Sequence, residues 1–130
     1  MADSIFAEKA LDFSAEVVNE QKRIAAEMHE YSMSDQMKRA ATAIGASHCE
    51  AQFAESDSDF VHKLRISLKE ANEANYWLRL LNKTKYISDE RFSFLSKKLA
   101  ELIRMLVASI NTTLKKIEKN NKKKGKQDSE

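Results

Sequence analysis

"ISLKEANEANYWLRLLNKT", residues 66–84, carries more apolar surface than one amphipathic helix needs. At about 100° per residue, and extended back to Phe60, the residues Phe60, Leu64, Ser67, Leu68, Ala71, Ala74, Leu78 and Leu81 fall on one side, as a core-facing stripe does. Ile66, Trp77 and Leu80 gather on a second face beside Glu70 and Glu73, with Tyr76 next to Leu80. A contiguous apolar patch of this kind is a liability on a monomer. Large amphipathic rings are enriched where one surface packs and an edge stays polar. The second face is therefore expected to meet another subunit rather than only the edge of its own domain.

Outward from this helix the same period recurs. Phe6, Ala10, Phe13, Val17, Ile24 and Met28 predict a first helix over about 4–28, with Ser4 as its N-cap. Met33, Met37, Ala40, Ala41, Ile44, Ala51 and Ala54 predict a second over about 33–55, with Ser32 and Asp35 as a capping box. Its alanines and Gly45 make it thin, so a neighbouring backbone is expected close by. Ser56 with Asp59 opens the third helix, over about 57–81. Ser88, with Asp89 and Glu90 in the first turn, opens the fourth, over about 88–118. Its stripe is Phe92, Leu95, Leu99, Leu102, Leu106, Ile110, Leu114 and Ile117. Four amphipathic helices with short turns predict an all-α, up-down-up-down four-helix bundle spanning residues 1–117.

Composition agrees. The chain has 130 residues, no proline and two glycines, Gly45 and Gly125, too few turn-formers for a β domain. Cys49 is the only cysteine, which excludes an intrachain disulfide framework and fits a cytoplasmic protein. No stretch approaches the ~18 apolar residues of a membrane span, so no membrane role is expected. The net charge of +2 is uneven: residues 115–130 hold seven lysines against three acids, whereas residues 1–114 balance at −2. Residues 118–130 are expected to form a lysine-rich flexible tail, either a solvated, frayed helix end that aids solubility, the favoured reading, or a segment able to follow phosphates electrostatically.

Chemistry-bearing patterns are sparse. His48, Cys49 and Glu50 are adjacent and diverge on a helix, so they cannot share a metal. Asp59 and His62 have the i, i+3 spacing of a di-iron carboxylate–histidine pair, but such a site needs two pairs and two more carboxylates, no second pair is seen, and Asp59 suits a capping role. No metal or cofactor is expected. Arg23 and His29 resemble the Arg-x(4–6)-His spacing of α-helical HEPN ribonucleases, but Ile24 stands where a polar residue is usual and the pair comes early in the chain. Lys38, Arg39, Arg65 and Lys69 are candidates for phosphate contact, joined by Lys122, Lys123 and Lys124 of the tail.

Two stretches carry a resemblance. "SDQMKRAATAIGASHCEAQ" (34–52) and "DFVHKLRISLKEANEANYWLRLLNKTKYIS" (59–88) resemble the bacterial "four helix bundle protein" family, also called the intervening-sequence protein family. The family's basic pair, small residues, Ile-Gly step and Glu-Ala step fall on Lys38, Arg39, Ala40, Ala41, Ile44, Gly45, Ala46, Glu50 and Ala51. Its Lys-Glu-Ala-x-Glu-x-x-Tyr-Trp-Leu run falls on Lys69, Glu70, Ala71, Glu73, Tyr76, Trp77 and Leu78. The chain departs at Ser47 and His48, where the family usually has Asn and an apolar residue. The resemblance implies a cytoplasmic homo-oligomer, a homopentameric ring, similar to accessory proteins of diversity-generating retroelements that engage nucleic acid and a nucleic-acid-processing partner. The expectation is a non-enzymatic, homo-oligomeric nucleic-acid-binding or adaptor module that assembles through Ile66, Glu73, Tyr76, Trp77 and Leu80. The alternatives are a protein–protein adaptor that binds no RNA or DNA and, less favoured, a ribonuclease using Arg23 and His29.

Overall fold

The computed structural model describes residues 2–128, and the side chains of residues 5–126. They form α1 (Ala2–Met28), α2 (Ser32–Ala51), α3 (Asp57–Lys83) and α4 (Asp89–Asp128). Each helix packs on its two neighbours, α1 and α3 both touching α2 and α4, while the diagonal pairs do not meet. This is the up-down-up-down bundle that the four stripes predict.

One core fills the centre. α1 supplies Phe6, Ala10, Phe13, Val17 and Ile24; α2 supplies Met37, Ala40, Ala41, Ile44 and Ala51. α3 supplies Val61, Leu64, Ala71, Ala74, Leu78 and Leu81, and α4 supplies Leu95, Leu99, Leu102, Leu106 and Ile110. Phe60 and Leu68 flank the α3 stripe at half burial. Met28 and Leu114, expected at the ends of their stripes, are exposed. The thin α2 does admit close approach: a Cβ on Gly45 would lie 3.4 Å from that of Ala10. Across the other seam the buried Ser67 Oγ donates to the Ile44 carbonyl at 2.8 Å, so its hydroxyl is satisfied inside the core.

The helix ends have local causes. Ser56 Oγ accepts from Asp59 N–H at 3.0 Å, and the Asp59 carboxylate accepts from Glu55 N–H at 3.2 Å. Ser88 Oγ accepts from Arg91 N–H at 3.2 Å. The box expected at Ser32 and Asp35 does not form. Glu30 caps α2 instead, its two oxygens accepting from Met33 N–H and Ser34 N–H at 2.7 and 2.8 Å. A carboxylate at a helix N-terminus gains from the dipole as well as from the bonds. Ser4 lies within α1 and so is not its N-cap. α2 stops at Ala51 rather than near 55, leaving Ala54 in the turn.

α3 ends in a Schellman motif: Tyr86 N–H bonds to Leu81 O at 2.8 Å and Lys85 N–H to Asn82 O at 3.0 Å. Lys85 occupies the left-handed position, φ 68°, where glycine is usual. The largest departure is at the C-terminus. α4 runs on to Asp128, so the lysine-rich segment expected as a flexible tail from residue 118 is helical as far as the structure describes it.

Candidate interaction surfaces

α3 turns Arg65, Ile66, Lys69, Glu73 and Tyr76 outward, all exposed. Ile66 is 39% and Tyr76 59% exposed, high values for side chains of this size. Trp77 and Leu80 are half-buried, and Trp77 packs against its own core. Its ring meets Tyr76 edge-on at 5.2 Å between centroids, and its Nε1–H points to Glu73 Oε1 at 3.5 Å. The second face of α3 therefore divides. Ile66 and Tyr76 present surface outward, whereas Trp77 serves the bundle and shows only part of its ring. Tyr76 and Leu80 also line a shallow pocket with Arg79, Lys83 and Phe92 at the α3–α4 seam.

The expected basic residues differ in what already holds them. Lys38 and Arg39 both bind Asp35, at 3.3 and 2.8 Å. The hydrogen bond from Arg39, then that from Lys38, holds the Asp35 carboxyl below its usual pKa. Arg65 and Lys69 have no ion-pair partner among the described residues. Lys122 pairs with Glu118 at 3.3 Å, while Lys123 and Lys124 are exposed along α4. The structure thus brings Arg65 and Lys69 together with Ile66 on one face, and places Lys38 and Arg39 on a different helix.

A further surface was not foreseen. The α1–α4 seam is laced by ion pairs: Lys9–Glu101 at 2.9 Å, Asp12–Lys98 at 2.8 Å, and Glu16–Arg91 at 2.9 Å. At its inner end Glu20, only 5% exposed, lies 3.1 Å from Arg23 and 3.5 Å from Arg91. Arg23 also donates to the Tyr86 carbonyl at 2.7 Å, tying α1 to the α3–α4 turn. Burial works against the charge on Arg23, but Glu20 and then Glu27 outweigh it and raise its pKa. Complementary charges at three-, four- and seven-residue steps on the first and fourth helices were the available signal. On the neighbouring seam Leu11, 68% exposed, stands over a shallow apolar groove floored by Ala7, Gly45 and Ala46.

Arg23 and His29 have separate partners. Arg23 is committed to Glu20, Glu27 and Tyr86 O, while the exposed His29 meets the Tyr31 hydroxyl at 3.3 Å. Among the described residues no three His, Cys, Asp or Glu side chains cluster as metal ligands, and no helix is long and apolar enough to cross a membrane. His48, the departure noted in the α2 motif, is buried against the Phe6 ring at 4.2 Å between centroids. It fills the apolar position with a flat ring.

Fold and surfaces together define a four-helix bundle with a mixed apolar and basic face on α3. Residues 2–108 match the family described as 23S rRNA-intervening sequence protein, and the chain belongs to that family. It is 40% identical to a protein of unknown function from the S23 ribosomal protein family of Bacteroides thetaiotaomicron VPI-5482. That crystal structure superposes with a TM-score of 0.83, over 85% of this chain and 99% of the other. A search of curated proteins returns no match.

Proposed function

We propose that the chain is a non-enzymatic module that assembles with copies of itself through α3 and engages nucleic acid from the assembled particle. The observation that carries this reading is the outward face of α3. It places Ile66 and Tyr76 beside Arg65 and Lys69, two cations with no ion-pair partner among the described residues. A ring of copies, five in the arrangement that the family resemblance implies, needs two unlike patches on each subunit. The α1–α2 groove under Leu11 supplies an apolar surface different from the α3 face. Repetition around a ring would multiply weak phosphate contacts by avidity.

The test uses full-length variants and two readouts. Trp77 is a poor probe, because its truncation also opens the core. Ile66→Glu should lower the mass seen by light scattering, since a charge on an apolar contact opposes its burial. Arg65→Gln with Lys69→Gln should keep the mass and weaken binding to fluorescent RNA and DNA duplexes. Wild-type mass and affinity in both variants would defeat the reading. The balance of −2 over residues 1–114 favours one rival, an adaptor that binds protein alone. An assembled particle with no affinity for either duplex would support it.

A further inference from the structure

We propose that the end of α4 is a projecting basic rod whose one-sided lysine stripe lies along the sugar–phosphate backbone of a nucleic acid. This rests on the nucleic-acid reading above but places the contact on a different element.

Three observations converge. First, the helix leaves the bundle. Ile117 is the last side chain packed on the core, and Lys116 meets Asp57, the first residue of α3, at 3.5 Å. From Glu118 to Lys126 every residue is exposed. Residues 118–126 therefore extend about 13 Å of helix into solvent. Second, the lysines are not scattered around it. Lys115, Lys119, Lys122 and Lys126 recur at helical steps and fall within about 60° of arc, with Lys116 and Lys123 on one shoulder. Lys124 lies about 140° round from Lys119. The sequence cluster Lys122-Lys123-Lys124 is thus split by the helix. Third, the opposite side carries Asn120, Asn121 and Lys124, the second shoulder carries Gly125 and Glu118, which pairs with Lys122, and no apolar side chain follows Ile117. A helix that lies in a membrane surface needs an apolar face to bury. A row of ammonium groups backed by amides suits a polyanion in water. The rod also lies outside residues 2–108, so it belongs to this chain beyond the matched family region.

The row spans about 16 Å. With Lys122 shared with Glu118 at 3.3 Å, contacts to three phosphates would give a logarithmic salt slope of about −2.7 on a duplex.

The experiment compares two full-length variants with the same charge change, Lys119→Gln on the stripe and Lys124→Gln off it. Each is titrated against fluorescent RNA and DNA duplexes across a salt series, with helicity followed by circular dichroism. Lys119→Gln should weaken binding several-fold and flatten the slope by about 0.9, while Lys124→Gln stays near wild type. Equal losses in the two variants would overturn the stripe and leave the nucleic-acid reading standing on α3. No binding of either duplex by wild-type protein would overturn both. Binding to phosphatidylserine vesicles in preference to either duplex would overturn the choice of partner.

Discussion

Glu20→Gln tests how the α1–α4 seam is held. The substitution keeps the side-chain shape, removes the charge, and turns an amide NH2 toward one of two guanidinium groups. Glu20 is buried, with Arg23 at 3.1 Å and Arg91 at 3.5 Å. Breaking a fully buried ion pair costs about 3–5 kcal/mol. Here both arginines are about a third exposed and keep other partners, Tyr86 O at 2.7 Å and Glu16 at 2.9 Å. The expected loss is therefore smaller, about 2 kcal/mol, in the range for a hydrogen bond to a charged group. For a domain of this size that is a fall in Tm of roughly 8 °C. Glu27→Gln is the control: its carboxylate is 66% exposed and 3.4 Å from Arg23, and its removal should change stability by less than about 0.5 kcal/mol. Urea unfolding followed by circular dichroism reads both, at one protomer concentration because self-association adds stability. If Glu20→Gln costs no more than Glu27→Gln, the ion cluster does not hold the seam and its apolar neighbours Phe13, Val17, Leu95 and Leu99 do.

Two further outcomes follow from local geometry. Lys85→Gly should raise stability by about 0.5–1 kcal/mol, because φ is 68° there and relief of the side-chain clash exceeds the added unfolded-state entropy; a fall in the urea midpoint would refute this. Asp35 is held below its usual pKa by Arg39 and Lys38, so its contribution is complete above the unfolded carboxylate value of about 4 and is lost as pH falls through the lower folded value. The stability gap between wild type and Asp35→Asn should be constant at neutral pH and close in acid, and a gap that persists below the folded value would exclude that linkage.

The bundle was legible because its signals are local and repeated. Stripes at three- and four-residue steps fix which face each helix buries, and Ser56 and Ser88 cap as their spacing predicts. The misses have one common cause, a partner or conformation that short-range pattern does not encode. Glu30 caps α2 although a serine stood at the expected place, because a longer carboxylate reached two amides. Lys85 takes a left-handed turn without a glycine to mark it. Glu20 and Arg91 find each other only after the first and fourth helices pack.

The candidate surfaces were half legible for a related reason. Sequence shows where charge is, not what neutralises it. Lys38 and Arg39 read as adjacent candidates for phosphate contact, yet the helix turns both onto Asp35. Arg65 and Lys69 look equally ordinary in sequence, with Glu70 and Glu73 nearby, and are the pair without ion partners among the described residues. The C-terminus makes the same point in reverse. A lysine run reads as a solvated tail by composition, but Lys, Glu and Gln are good helix formers, no proline intervenes, and α4 already supplies the nucleus, so each added residue extends a helix already begun. Once the segment is helical, position around the axis matters as much as charge. Lys119 and Lys124 then cease to be equivalent, and that difference separates a binding face from a polycation.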